Sequence, residues 1–224
     1  MPKGTASRRP VIFDYIGVLT DPPDDAFTQI EKARGYPPGS VRSLVLGDYD
    51  ARTPGVSAWH MVETGQLDVA HYVRWLLSRA PHVLGTRPFQ LSDLSLLGTA
   101  DAFGIREVVL DRIRELRRQR FPLALLTNDV DVLADSRRKL LPLDELFDVV
   151  VESSAVGLRK PDPKIFLLTC ERLHAPPRAC VFLDDERENV EAARRLGMHA
   201  IHVDDPHTAL DALDRALAAD GSSG

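Results

Sequence analysis

Apolar positions along this chain group in two ways, as short unbroken runs and as longer stretches spaced by three and four. Residues 10–14, 123–128, 148–152, 180–184 and 199–203 are short apolar runs rich in β-branched and large aliphatic side chains. Runs of that length without alternation predict strands buried on both faces. Residues 105–120 (Ile105, Val108, Val109, Ile113, Leu116), 132–140, 163–173 and 188–196 carry helical spacing, and 208–217 forms a last amphipathic stretch. Strand followed by helix, repeated, predicts an α/β fold, a doubly wound (Rossmann-like) parallel sheet with helices on both faces.

The first strand stands apart from that alternation. About 85 residues separate Thr20 from the helix near Ile105, far more than a normal crossover. Within the gap, 24–34, 41–46, 58–63 and 67–78 show helical spacing, divided by Gly and Pro clusters at 35–39, 53–55 and 80–88. The pattern predicts an inserted all-helical lobe over 21–98, a core made of 1–20 and 99–218, and a disordered Gly/Ser end over 219–224. No internal repeat is visible.

Composition narrows the function. With 224 residues, 44% hydrophobic and 27% charged, the chain is an ordinary globular protein and not a disordered one. A net charge of -5 argues against a duplex nucleic-acid partner, which needs a basic face. The arginines at 112, 114, 117, 118 and 120 alternate with Asp111 and Glu115, so they read as a solvated helix face. Cys170 and Cys180 are the only cysteines; neither a disulfide framework nor a Cys/His zinc spacing is present. The absence of a signal-peptide apolar region and of an 18-residue apolar span leads to the expectation of a cytoplasmic protein with no membrane partner. Oligomeric state is not legible in the sequence. Trp59, Tyr72 and Trp75 are expected in the core of the inserted lobe.

Open parallel α/β sheets bind ligands at the carboxyl ends of their strands. Those ends carry Asp14, then Thr127, Asn128 and Asp129, then Asp184, Asp185 and Glu186, with Lys160 before the helix that follows the third strand. Taken singly, an Asp after a strand caps a helix, a lysine there is a solvated loop residue, and a Thr is a turn residue. Together they suit a hard cation and an oxyanion. Asp14 with Asp184 or Asp185 offers oxygen ligands for Mg²⁺, which takes one or two carboxylates plus water and phosphate. Thr127, backbone N–H groups at the next helix start and Lys160 suit phosphate oxygens. A carboxylate beside a metal and a bound phosphoryl group is a workable nucleophile.

The residues that carry this chemistry also carry a resemblance. VIFDYIGVLT at 11–20 resembles the first motif of the haloacid dehalogenase superfamily, LLTND at 125–129 the second, RKPDPKIF at 159–166 the third, and FLDD at 182–185 with Asn189 the fourth. The likeness runs from residue 10 to about 217, with Gly197-Met198 as a further familiar element. It implies that Asp14 is the nucleophile, that Thr127, Asn128 and Lys160 bind the phosphoryl group, and that Mg²⁺ is held by Asp14, Asp184 and the backbone carbonyl of Ile16, with Asp185 in support. It also implies a subfamily I arrangement, in which the helical insert is a mobile cap that excludes water and selects the substrate. Residues 63–68, Glu-Thr-Gly-Gln-Leu-Asp, resemble the Gly turn between cap helices of that family.

One position departs from the family pattern. Phosphatases of the superfamily usually carry a second aspartate two residues after the nucleophile, and here the residue is Ile16. Such a general acid and base contributes about 10² to 10⁴-fold. A branch related to the N-terminal domain of soluble epoxide hydrolase has a similar first motif, D-x-G-G-V-L, also without that aspartate. The expectation is therefore a Mg²⁺-dependent phosphatase of small phosphorylated metabolites, slow on unactivated alkyl esters. Three alternatives stand beside it: a catalytically weak or inactive phosphate-binding or protein-interaction module, a 2-haloacid dehalogenase-like enzyme, whose halide leaves without a proton, and another group transfer. The Asp184-Asp185 pair counts against the dehalogenase, which uses no metal. His60 and His71, within the insert, are candidates to replace the missing acid.

Overall fold

The computed structural model describes residues 8–22, 24–47, 57–90, 92–93, 104–131 and 134–218. Val11–Phe13 (β1), Leu123–Thr127 (β2), Val149–Glu152 (β3), Val181–Asp184 (β4) and His199–His202 (β5) form one parallel sheet in the order β3-β2-β1-β4-β5. These are the five runs read from the sequence, most of them trimmed by a residue at an end.

The period of two along each strand feeds two cores. Val11, Phe13, Leu123, Leu125, Val181 and Leu183 point to one face, where Glu107–Arg118 (α5) and Pro206–Ala218 (α11) cover them with Ile113, Leu116, Leu210 and Leu213. Ile12, Ala124, Leu126 and Phe182 point to the other, beneath Pro163–Arg172 (α9) and Arg187–Arg195 (α10), with Ile165, Phe166, Val190 and Ala193. Both faces are dry, as the unbroken apolar runs require. Short helices Ala134–Leu140 (α6), Leu143–Leu146 (α7) and Ser153–Val156 (α8) complete the connections. The last two have only four residues each. That is too few to leave a periodic signal, and the sequence reading placed no helix there.

Among the described residues, four helices stand between β1 and α5: Asp24–Arg34 (α1), Ser40–Leu46 (α2), Ala58–Glu63 (α3) and Val69–Leu84 (α4). They share a third apolar cluster built on Phe27, Leu44, Val62, Tyr72 and Leu76, with Trp59 and Trp75 partly buried against it. The expected break at 80–88 comes later than the sequence suggests, because α4 continues through Pro81 to Leu84. Leu76, Ala80 and Leu84 lie four apart and are all buried, and this packing outweighs the hydrogen bond that proline removes. The chain crosses into and out of the inserted helices at one antiparallel bridge, Thr20 to Ile105, with Arg106 N donating to the Leu19 carbonyl. Ile105 thus belongs to this bridge, and α5 starts two residues later than the apolar spacing suggested. The boundary at 98/99, the break at 53–55, residues 132–133 and the 219–224 tail lie outside the described residues. No helix of the described residues is long and apolar enough to cross a membrane.

Candidate active site

β1 leaves the sheet at Asp14. Its register pairs Phe13 with both Leu125 and Leu183, so Asp14 stands level with Leu126 on one side and Asp184 on the other, and Thr127 lies one residue farther along β2. Three strands therefore deliver Asp14, Thr127 and Asp184 to one edge.

Lys160 reaches the same point from the connection between α8 and α9. Its Nζ lies 2.7 Å from Asp14 Oδ1, 2.7 Å from Asp184 Oδ2 and 2.9 Å from the Leu126 carbonyl oxygen, and these three acceptors match its three donors. The side chain is 1% exposed. Asn128 fixes its backbone: Oδ1 accepts from Lys160 N at 2.7 Å and Nδ2 donates to the Lys160 carbonyl at 2.9 Å. Both ends of that amide are engaged with Lys160.

The carboxylates are held as firmly. Asp14 Oδ1 accepts from Tyr15 N at 2.7 Å, and Asp184 Oδ1 accepts from Glu186 N at 2.8 Å and from Asn189 Nδ2 at 3.0 Å. Asp185 sits over Gly17, which has φ +76; a Cβ there would lie 1.9 Å from Asp185 Oδ2. Asp14, Asp184 and Asp185 each offer a carboxylate oxygen within 4.8 Å of the others.

Electrostatics define what this cluster lacks. Three carboxylates surround a single ammonium, leaving an excess of negative charge. Burial first, and then Asp184 and Asp185, raise the Asp14 carboxyl well above its usual range, although Lys160 pulls the other way. Burial and the neighbouring Asp184 and Glu186 push Asp185 up to about 7. Lys160 is driven down by burial but more strongly up by Asp14 and Asp184, so it is held as a cation. An all-oxygen donor set with surplus negative charge fits a hard divalent cation of the Mg²⁺ type.

A cavity of about 160 Å³ opens above the cluster. Asp14, Thr127, Lys160 and Asp185 are at its base, while Phe27, Val45 and Trp59 of the inserted helices contribute to its wall. Ile16 lines the same space and packs against the larger sheet cluster. Neither histidine considered as a replacement acid lines it: His71 is exposed and paired with Asp68, and His60 is buried within α3. Asp129 does line it, but its carboxylate is paired with buried Arg137. Two charged residues not identified from sequence appear at the seam: Glu63 at the end of α3 and Arg159, 2.8 Å apart. The sequence held a hint to each, since residues 63–68 stood out for their Gly turn, where Gly65 has φ +68, and Arg159 opens the segment at 159–166.

Comparison with known proteins agrees with this geometry. The family model described as haloacid dehalogenase-like hydrolase matches residues 9–197. Among curated proteins, the chain is 33% identical over 215 residues to mouse acyl-CoA dehydrogenase family member 10, covering 96% of this chain and 20% of that protein. It is 28% identical over 218 residues to mouse bifunctional epoxide hydrolase 2, covering 92% of this chain and 38% of that protein. The chain thus spans well under half the length of either relative. Among solved structures, a HAD family enzyme of Bacteroides thetaiotaomicron in complex with magnesium and inorganic phosphate superposes with a TM-score of 0.63 at 19% identity, over 88% of this chain and 94% of that one. With the four motifs meeting at one sheet edge and a family match over most of the sequence, the chain belongs to the haloacid dehalogenase-like hydrolases.

Proposed function

We propose that the protein is a Mg²⁺-dependent phosphatase of small phosphorylated metabolites that works through an aspartyl-phosphate on Asp14. The observation that carries this reading is the buried Lys160 ammonium shared between Asp14 and Asp184, with Asp185 completing a carboxylate cluster under an open cavity. The Bacteroides enzyme of the same fold, which holds magnesium and inorganic phosphate, supports it. Asp14, Asp184, Asp185 and the Ile16 carbonyl would hold the metal. A bound Mg²⁺ neutralises charge between the phosphoryl oxygens and the carboxylates.

Within that frame each residue has a role. Thr127 holds a non-bridging phosphoryl oxygen, the Lys160 ammonium beside Asp14 stabilises the phosphoryl charge through its field, and Asn128 keeps the Lys160 peptide in place. Asp14 Oδ1 is occupied by Tyr15 N and Lys160, which leaves Oδ2 to attack phosphorus. The new P–O bond forms as the ester P–O bond breaks, and the leaving oxygen departs with the electron pair. No carboxyl stands at position 16 to protonate it, so that proton comes from water. Water then cleaves the aspartyl-phosphate, releasing phosphate and restoring Asp14. Esters with acidic leaving groups are the favoured substrates under this scheme. Residues 21–98 act as the cap and 1–20 with 99–218 as the core. A dehalogenase, which uses no metal, would leave Asp185 beside Asp14 and Asp184 without a task.

Phosphate release from an aryl phosphate and from acetyl phosphate, with Mg²⁺ and with EDTA, tests the reading on wild type and Asp14→Asn. Release that needs Mg²⁺ and vanishes in Asp14→Asn is the expected result. Undiminished release by pure Asp14→Asn protein overturns it, and no release by wild type turns the site into a phosphate-binding module.

A further inference from the structure

We infer that Glu63 is a positioning residue that couples the seating of the inserted helices to the alignment of Lys160. Glu63 ends α3, belongs to the insert, and is 3% exposed. Its two carboxylate oxygens face two different parts of the site. Oε1 accepts from Trp59 Nε1 at 2.9 Å, and Trp59 lines the cavity. Oε2 lies 2.8 Å from Nε of Arg159, the residue that precedes Lys160. A third tie uses the backbone: the Glu63 carbonyl accepts from Ser153 Oγ at 2.6 Å, and the same hydroxyl accepts from Asp129 N at 2.7 Å, just past Thr127.

One residue of the insert is therefore bonded directly to the loop that carries Lys160 and linked, through the Ser153 hydroxyl, to the loop that follows Thr127. The ties fail together. A shift of the inserted helices by a few ångströms takes the carboxylate from Arg159 and the carbonyl from Ser153, and stranding a buried charge is among the costlier events in a folded protein. Burial already pushes the Glu63 carboxyl upward against the pull of Arg159 and Trp59. Among the described residues, Val130 is the one residue from outside the insert among the buried members of the insert's cluster, so apolar contact there is thin beside these polar ties. The seated position is thus specified by polar geometry, and the Arg159 backbone carries that geometry directly into Lys160.

The activity arm of the test rests on the phosphatase reading; the optical arm does not. The chain has two tryptophans, so in a Trp75→Phe background Trp59 is the only emitter. Acrylamide quenching of Trp59 is measured in that background and in Glu63→Gln, Arg159→Gln and double variants built on it, all with Mg²⁺ present and with circular dichroism to confirm folding. Both single variants are expected to raise quenching, including Arg159→Gln, whose guanidinium is paired with the carboxylate that accepts from Trp59 Nε1. On an aryl phosphate each lowers kcat by about 10- to 100-fold, as a small misplacement of catalytic groups does, with a smaller change in KM. The double variant is no worse than either single one, since one linkage is broken twice. Unchanged quenching in both singles, or losses that multiply in the double variant, overturns the inference. Should wild type release no phosphate, the phosphatase reading falls and the quenching arm decides this one alone.

Discussion

Ile16 stands where the resemblance to superfamily phosphatases leads one to expect a second aspartate. Its side chain lines the cavity and packs on the larger sheet cluster, so the position is roomy and partly dry. Ile16→Asp is expected to raise kcat on an alkyl phosphate by about 10²-fold or more while changing an aryl phosphate far less, because only the poorer leaving group needs the proton; parallel kcat measurements on the two esters check this. Thr127→Ala should lower kcat/KM by about 10²-fold or more through one lost donor to the transition state, with little change in thermal stability. Lys160→Ala is a less clean test. It strands two buried carboxylates at a cost of about 3–5 kcal/mol, so lost activity there would mix misfolding with chemistry. Gly17→Ala drives a methyl group into Asp185 and requires a left-handed backbone of a residue that resists it. Titration calorimetry should show weaker Mg²⁺ binding in that variant. That Asp14, Thr127 and Asp184 meet at one sheet edge was legible in the sequence because strands ending in polar residues mark that edge. The Glu63–Arg159 pair was not, since 96 residues separate the partners and neither lies in a periodic pattern that points at the other.

Elements fix where these residues go, and each element has its own weak point. Helix α2 begins at Ser40 after Gly39, with no side-chain cap of its own. Its first N–H groups are satisfied from the preceding helix: buried Glu31 Oε2 accepts from Gly39 N and Oε1 from Val41 N, both at 2.9 Å. Glu31→Ala leaves two donors unpaired at about 1–3 kcal/mol each. A lower melting temperature and a raised KM are expected together, because α2 also carries Arg42 and Val45 in the cavity wall. That borrowed cap was illegible in sequence, where residues 35–39 show only a Gly/Pro break. The five strands and the longer helices were legible because burial on one or two faces dictates their period. Legibility failed where tertiary packing overrode a local rule, as at Pro81 inside α4, and where an element was shorter than its own period, as in α7 and α8.

For the molecule as a whole, the proposed metal ligands and the cavity wall come from different parts of the chain, so ligand-dependent melting can report on each. Asp14, Asp184 and Asp185 all stand at ends of β1 and β4, whereas Phe27, Val45 and Trp59 come from the insert. Mg²⁺ at 100 times its Kd stabilises a folded state that alone binds it by about 2.7 kcal/mol. For a chain of this size that is a rise of roughly 5–10 °C in melting temperature. Calorimetry should show that rise in wild type and not in Asp184→Asn, read as the shift on adding Mg²⁺ and not as the absolute temperature, since Asp184 also pairs with Lys160. If the insert melts as a separate transition, Mg²⁺ alone should move only the transition of the sheet. Mg²⁺ with inorganic phosphate should move both, because the proposed phosphate site lies against Lys160, and Lys160 follows Arg159, which pairs with Glu63 of the insert. A phosphate-dependent shift confined to the sheet would mean that the insert closes independently of what the sheet edge binds.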